Sequence, residues 1–586
     1  MIRIFIFIAV WLLGLNFELC AQSQPKIHKL VLKNFEKSNY TDCIVLLKSQ
    51  PDLSDSKSLS LKTEKGRFVY SKLAENAAKT QVSVINILKS KNLSFQSFVV
   101  VNAIRIIADK NTLLEIEALK EVASILPNIP IRSDFPVKRN ENAISKTNSL
   151  AEWGINMTLA DKLWELGIKG AGVTVGGQDT GYDWSHPAIH SQYRGTNNGT
   201  ANHNYHWHDA IHEKHPLNGD TLNPCGFNAQ QPCDDNSHGT HTVGTMVGYD
   251  GADNFIGLAP EAKWIGCRNM ERGWGLPSTY IECFEWFLAP TDLSNGNPNP
   301  DLAPHVINNS WSCPTEEGCE PANFEAMRIA VSNLKMSGVV VVVSAGNSGP
   351  SCSSINTPSA IFEESFVVGA TNFLDSMANF SSRGPVWVDS SGRMKPNVVA
   401  PGVTVRSCIP NGGYANYSGT SMAGPHVAGA VALLISAAPE LAGKVELIEE
   451  ILEQSAKPLY PSQSCGNLPV QTQPNHVEGW GRIDLWKALA FVRPDLFNHP
   501  EKTETQIRAF PNPTSGEFVL ISPVDIGSGR LLVSNYLGQK VLEKNVEFTR
   551  IHQFDFSDLP NGMYIITVFP ESCPKEKYSV QLLKRN

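Results

Sequence analysis

Apolar positions along the chain change their spacing several times, and each change marks a different kind of unit. In the first part, Cys43 to Leu47 reads as a strand and Gly66 to Lys89 as one long helix. Phe98 to Ile107 is strand-like, Leu113 to Leu119 helical, and Val122 to Leu126 a last strand. Two helices interleaved with strands predict a small α+β unit. Beyond it, strands at Gly172–Gln178, Ala262–Cys267, His305–Asn308, Val339–Ser344 and Phe366–Ala370 alternate with helical stretches. That alternation predicts an α/β unit: a mostly parallel sheet with helices on both faces and loops carrying chemistry at strand ends. Arg493 to Gln506 has Pro494, Pro500 and little apolar pattern, so it reads as a linker. Short strands then recur at Phe518–Ile521, Leu531–Asn535, Phe554, Tyr564–Phe569 and Val580–Leu583, which predicts a small all-β tail.

The first residues follow another pattern. Arg3, the apolar run Ile4 to Leu15 and the small Ala21 read as a secretory signal, with cleavage expected after Ala21. The run is too short for a comfortable membrane span. Cys20 raises lipid attachment as an alternative, but Leu19 is bulkier than the small residue that such a site wants. The resulting division is 1–21 signal, 22–150 α+β unit, 151–492 α/β unit, 493–506 linker and 507–586 β tail.

Composition changes this picture little. The 586 residues exceed one compact core, and 42% apolar with 18% charged is ordinary for a globular chain. A net charge of −8 without a basic patch gives nucleic acid nothing to hold. Cysteine is more informative. Of 12, nine lie between Cys225 and Cys465, which fits an oxidising compartment. Short loops make Cys225–Cys233 and Cys313–Cys319 reasonable pairs, and an odd count leaves one cysteine free or paired elsewhere. No C-x-x-C pair argues for zinc or a thioredoxin-like site.

Three segments carry candidate chemistry. Gly419-Thr420-Ser421-Met422-Ala423-Gly424-Pro425-His426 precedes an apolar run and reads as a tight turn placing a serine at the start of a buried helix. Pro425 is expected in the first helical turn, where a missing N–H costs little. The free backbone donors there stabilise negative charge on a bound carbonyl. Asp179-Thr180-Gly181 ends a buried strand, and Ser237-His238-Gly239-Thr240-His241 is a loop feeding a helix. A serine hydroxyl needs a base to take its proton, and the base needs an orienting carboxylate. The chain supplies all three, each at the end of an element.

That order and these motifs resemble the subtilisin-like serine peptidases, or subtilases, over roughly Gly154 to Val492, closing at Gly479-Trp480-Gly481-Arg482-Ile483-Asp484. The resemblance makes Ser421 the nucleophile, His238 the general base and acid, and Asp179 its orienter. Asn347, in Ala345-Gly346-Asn347, matches the residue that donates to the oxyanion. His305 to Trp311 looks like the strand that pairs with an extended substrate, which puts Ser310, Trp311, Ser312, Gly346 and Thr420 at the substrate. Ser312 stands where glycine is common, so the primary pocket is expected to be narrower or differently shaped.

Other positions depart from the family pattern. Gln178 replaces an aliphatic residue, and Ala188 stands where a calcium-binding aspartate often lies. Structural calcium is implied by family habit without a site; Asp234-Asp235 and Asp250 to Asp253 are the acidic loops that could take one. No cofactor is required for the chemistry. His203, His206, His208, His212 and His215 lack an H-E-x-x-H partner set, so an insertion at the rim of the cleft is expected rather than a zinc site.

The α+β unit implies a propeptide that chaperones folding and blocks the cleft, removed between Ile131 and Leu150. Its alternative is a separate binding module. The tail motifs Phe510 to Gly516, Tyr536-Leu537-Gly538-Gln539 and Leu559 to Tyr564 look like the C-terminal sorting domain of type IX secretion substrates of the Bacteroidetes. They imply the type IX machinery as a partner and a secreted or cell-surface location reached through the periplasm. The expected function is a monomeric serine endopeptidase acting on polypeptides, made as a zymogen. The alternatives are a catalytically silent subtilase fold that binds proteins and an enzyme that processes or ligates a partner.

Overall fold

The computed structural model describes residues 25–130, 151–197, 200–219, 222–497, 507–510, 512–522, 526–548, 550–571 and 577–585. The expected signal, the expected propeptide cleavage stretch and most of the linker lie outside them; Pro494–Phe497 of the linker forms a 3-10 turn.

In the first unit an antiparallel sheet runs Phe95–Phe98, Ala103–Ala108, Thr41–Leu47, Val122–Pro127. Strand alternation sends Cys43, Val45 and Leu47 to one face and Ile44 and Leu46 to the other. Two expectations need correction here. The long helix is two, Lys62–Thr80 and Val82–Ser90, because they serve different faces. Val69 and Leu73 pack with Ile44 and Leu46, whereas Val84 and Leu88 pack with Val45 and Leu47. Gln81 sits at the break and donates to the Phe98 carbonyl (2.9 Å) and to Asn102 (3.0 Å). The single strand over Phe98–Ile107 is a hairpin, whose turn buries Val100 and Val101 against the second unit.

The second unit carries a seven-stranded sheet in the order Val398–Pro401, Phe366–Thr371, Val340–Ser344, Val306–Asn309, Thr174–Asp179, Lys263–Arg268, Trp207–Asp209, parallel at every pairing. Helices α1 (His238–Val247), α2 (Pro277–Leu288), α3 (Phe324–Met336) and α4 (Thr420–Ala437) cover it. One hydrophobic cluster holds α1 and α4 against one face, and another holds α2 and α3 against the other. α4 is long and apolar enough to cross a membrane, but 89% of it is buried in this core.

The first unit docks on α2 and α3 through the same cluster that contains Ile44, Leu46 and Phe98. Its polar contacts are specific. Glu285 accepts the N–H groups of Val99 and Val100, the latter at 2.9 Å, and Asn333 donates to the Val100 carbonyl at 2.8 Å. Asn128 exchanges two 3.0 Å bonds with Ser278 in the first turn of α2.

The tail is two antiparallel sheets, of three and four strands, around one apolar core. Its strand Lys540–Phe548 escapes the sequence pattern because it is an exposed edge rich in Lys and Glu. Phe510 meets Phe491 edge-on at 5.7 Å. Four disulfides join Cys225–Cys233, Cys267–Cys283, Cys313–Cys319 and Cys352–Cys465. Both expected pairs are among them, and the unpaired ninth cysteine is the buried Cys408.

Candidate active site

Strand order reverses direction on either side of Thr174–Asp179, and crevices at the carboxyl ends of such strands are where open α/β sheets bind ligands. Three adjacent strand ends deliver candidate residues there: Asp179 itself, Ser310 just past Val306–Asn309, and Asn347 just past Val340–Ser344. Ser310 and Asn347 line a cleft of about 970 Å³ together with His238, Trp311, Ser312, Gly346, Thr420 and Ser421, and Asp179 lies behind it, joined through His238.

Asp179 is 1% exposed, and its carboxylate faces the Nδ1 atom of His238 at 2.8 Å and 3.0 Å. A carboxylate can only accept, so Nδ1 carries the proton and Nε2 is left as the basic nitrogen. The same carboxylate accepts the Thr180 N–H at 2.7 Å. Gln178, the departure from the family pattern, is fully buried and bonded on both ends, to Asn309 and, at 3.0 Å, to Asn269. These two asparagines replace the apolar neighbours that an aliphatic residue would need.

Ser421 is the second residue of α4, where backbone N–H groups have no acceptor within the helix. Its hydroxyl donates to the Ser310 carbonyl at 3.1 Å. Pro425 is corrected from the first turn: it is the sixth residue of α4 and lies inside the helix. Its missing N–H would have served the Ser421 carbonyl. The Ser310 hydroxyl takes that place, donating to the carbonyl at 2.8 Å. A further serine, Ser344, does the same for the Thr420 carbonyl at 2.9 Å. Sequence reasoning missed both roles, which need residues more than 70 positions apart.

Asn347 accepts the Thr420 N–H at 2.9 Å and the Thr420 hydroxyl at 3.0 Å through its amide oxygen. The NH₂ is thus the end turned to donate. Thr420 is buried and orients Asn347, and the Gly346 N–H donates to the Thr420 hydroxyl at 3.2 Å. Trp311 stacks on Tyr280 at 3.9 Å, and Ser312 is exposed on the cleft wall. The wall also includes Glu317, held by the Tyr280 hydroxyl and pushed up to about 8 by burial. Glu317 lies inside the Cys313–Cys319 loop, a position that no motif marks.

No histidine of the His203–His215 loop lines the cleft, though His215 stacks on Trp274 of its wall. The loop adds the edge strand Trp207–Asp209 to the sheet and braces α2. His208 and His212 both bond Glu282, at 2.8 Å and 2.9 Å. His206 accepts from Arg194 at 2.9 Å. Among the described residues no group of three or more His, Cys, Asp or Glu is placed to hold a metal. In the acidic loops both Asp234 oxygens accept protein donors, and Asp250 Oδ1 accepts the Ala252 N–H.

The model of the subtilase family matches residues 170–481, and that of a secretion system C-terminal sorting domain matches residues 508–577. Bacillopeptidase F of Bacillus subtilis (strain 168) is 34% identical over 507 residues, covering 81% of this chain and 33% of the relative. Subtilisin E of the same organism is 33% identical over 290 residues, 49% of this chain and 61% of the relative. Subtilisin of Bacillus pumilus is 33% identical over 290 residues, 85% of its length. The chain thus spans about a third of the first relative and under two thirds of the second.

Proposed function

The chain belongs to the subtilase family, and from that premise we propose that it is a secreted serine endopeptidase made as a zymogen. The observation that carries the reading is the gathering of His238, Ser421 and Asn347 on one cleft, with Asp179 behind it and the His238–Asp179 pair already formed. His238 Nε2 takes the Ser421 proton as the hydroxyl attacks the substrate carbonyl, and Asp179 holds the imidazolium. The Asn347 NH₂ and the Ser421 N–H stabilise the oxyanion. His238 then protonates the leaving amine, and water repeats the attack on the acyl-enzyme. The chemistry draws on no cofactor.

Substrates are polypeptides, laid along Ser310 to Ser312. The first unit supports an inhibitory propeptide because its last strand leads to the cleft wall. Ile129 packs against Gly318, beside the loop that bears Glu317. The sorting domain marks the chain for secretion or cell-surface export. We take the type IX machinery and a periplasmic route as its path, and a monomer as the working form.

The test is expression of residues 22–492 beside a Ser421→Ala version, following chain mass and digestion of an unstructured protein. The parent is expected to shed its first unit and digest the substrate while the mutant does neither. Shedding by both, with digestion by the parent alone, would assign processing to another protease. A folded parent as inert as the mutant, once freed of the first unit, would replace the enzyme reading with the silent binding protein.

A further inference from the structure

Asp234 holds more of the site together than any residue that the mechanism uses. Its Oδ1 accepts the Thr180 hydroxyl at 2.8 Å and the N–H groups of Asn236 and Ser237, both at 2.9 Å. Its Oδ2 accepts the N–H and the hydroxyl of Thr240, at 2.9 Å and 2.6 Å. Five donors on one carboxylate come from two separate segments. One follows Asp179; the other begins α1 with His238.

We propose that Asp234 is a positioning residue of the triad, stapling the segment of Asp179 to the turn that aims His238. The inference rests on the triad reading above. Three observations carry it. Ser237, the residue before His238, has φ of 80°, a left-handed conformation that is costly for a residue with a Cβ. It persists only where the surroundings fix it. Its hydroxyl, the usual helix cap, is turned away to the Tyr417 hydroxyl at 2.7 Å. Asp234, three residues upstream of the cap position, therefore serves the Thr240 N–H in the first turn of α1 and the Ser237 N–H just before it.

Thr180 completes the staple. Its hydroxyl donates to Asp234 and accepts the Gly239 N–H at 3.0 Å, while its own N–H binds Asp179. The two segments touch so closely that a Cβ on Gly239 would lie 2.1 Å from the Gly181 carbonyl oxygen. Close approach alone does not set the ring angle of His238. The oriented donors do, since each hydrogen bond fixes a direction as well as a distance. Without the carboxylate, Ser237 is released toward ordinary backbone angles and His238 Nδ1 swings from Asp179.

The test compares Asp234→Asn, Thr180→Val and the double variant in the full chain, with the parent and Ser421→Ala alongside. All are cut between the first and second units by the same immobilised trypsin treatment. Hydrolysis of a small chromogenic peptide gives kcat and KM, and the low-field proton resonance of His238 Nδ1–H reports its bond to Asp179. We expect Asp234→Asn to lower kcat at least 30-fold with KM within threefold, and to weaken or abolish the resonance. Thr180→Val is expected to do the same in kind, and the double variant to be no worse than the poorer single one, because both cut one staple. A kcat within threefold of the parent with the resonance in place overturns the proposal. So does a rise in KM at unchanged kcat. If Asp234→Asn does not fold, Thr180→Val decides by the same criteria. An active Ser421→Ala would instead overturn the triad reading beneath it, and that result does not depend on Asp234.

Discussion

Asn347 has a short amide with two unlike ends, and Thr420 decides which end faces the cleft. Two donors from Thr420 fix the oxygen, so the NH₂ faces the cleft. In Asn347→Ala the developing oxyanion loses that donor, which is worth about 3–4 kcal/mol in such sites. The expected result is a fall in kcat of about 10²–10³-fold with little change in KM, measured on a peptide substrate. Asn347→Asp keeps an oxygen for Thr420 but turns a second toward the cleft, so it is expected to be no better than alanine.

At the scale of elements, helix α4 and the loop at the sheet edge each carry a defect that a neighbour repairs. Pro425 strips the Ser421 carbonyl of its helical partner, and the Ser310 hydroxyl restores it. Ser310→Ala leaves that carbonyl unpaired at a cost of about 1–3 kcal/mol, read as a lower denaturation midpoint. Adding Pro425→Ala returns an N–H to the same carbonyl, so the double variant is expected to recover part of the loss. The loop's repair is ionic. The hydrogen bond to Glu282 raises the His212 pKa to about 9. A folded-state pKa above the unfolded one favours folding most below the unfolded value, about 6.5, and the gain disappears as pH rises through 9. The destabilisation by His212→Gln is therefore expected to be full below pH 6.5 and to shrink toward pH 9 and above, as thermal midpoints across pH would show.

For the whole molecule, the contact between the first two units joins one apolar cluster to a few oriented polar groups. Glu285 alone receives two N–H groups from the turn that carries Val100. Burial pushes the Glu285 carboxyl up to about 7, so the value of about 1.5–3 kcal/mol for hydrogen bonds to a charged group applies above that pH. If the first unit is the inhibitory propeptide proposed above, Glu285→Ala is expected to weaken that inhibition and shorten the lag before activity appears, with kcat of the freed enzyme unchanged. Progress curves from freshly purified chain check this.

Local pattern made five of the seven parallel strands legible, because each is a largely apolar run bounded by turn residues; Val398–Pro401 and the edge strand Trp207–Asp209 escaped it. The candidate Asp, His and Ser were legible for a related reason: each sits in a short motif at an element end. Cys225–Cys233 and Cys313–Cys319 were readable because short loops keep their partners near. Cys352 and Cys465, 113 residues apart, carried no such signal. The break at Gln81, the turn at Val99 to Asn102 and the place of the histidine loop were all decided by surfaces supplied from distant sequence. Burial of Val69 and Val84 against different faces ended one helix and began another. Ser310 and Asp234 likewise look like ordinary polar residues until the fold brings the Ser421 carbonyl to one and the Thr180 hydroxyl to the other. The sequence by itself thus determined which side chains are candidates for the chemistry and where most of the parallel strands lie. Only the tertiary structure decided what holds those side chains in place, because a hydrogen bond needs a partner at a set distance and angle, and chain order does not supply that.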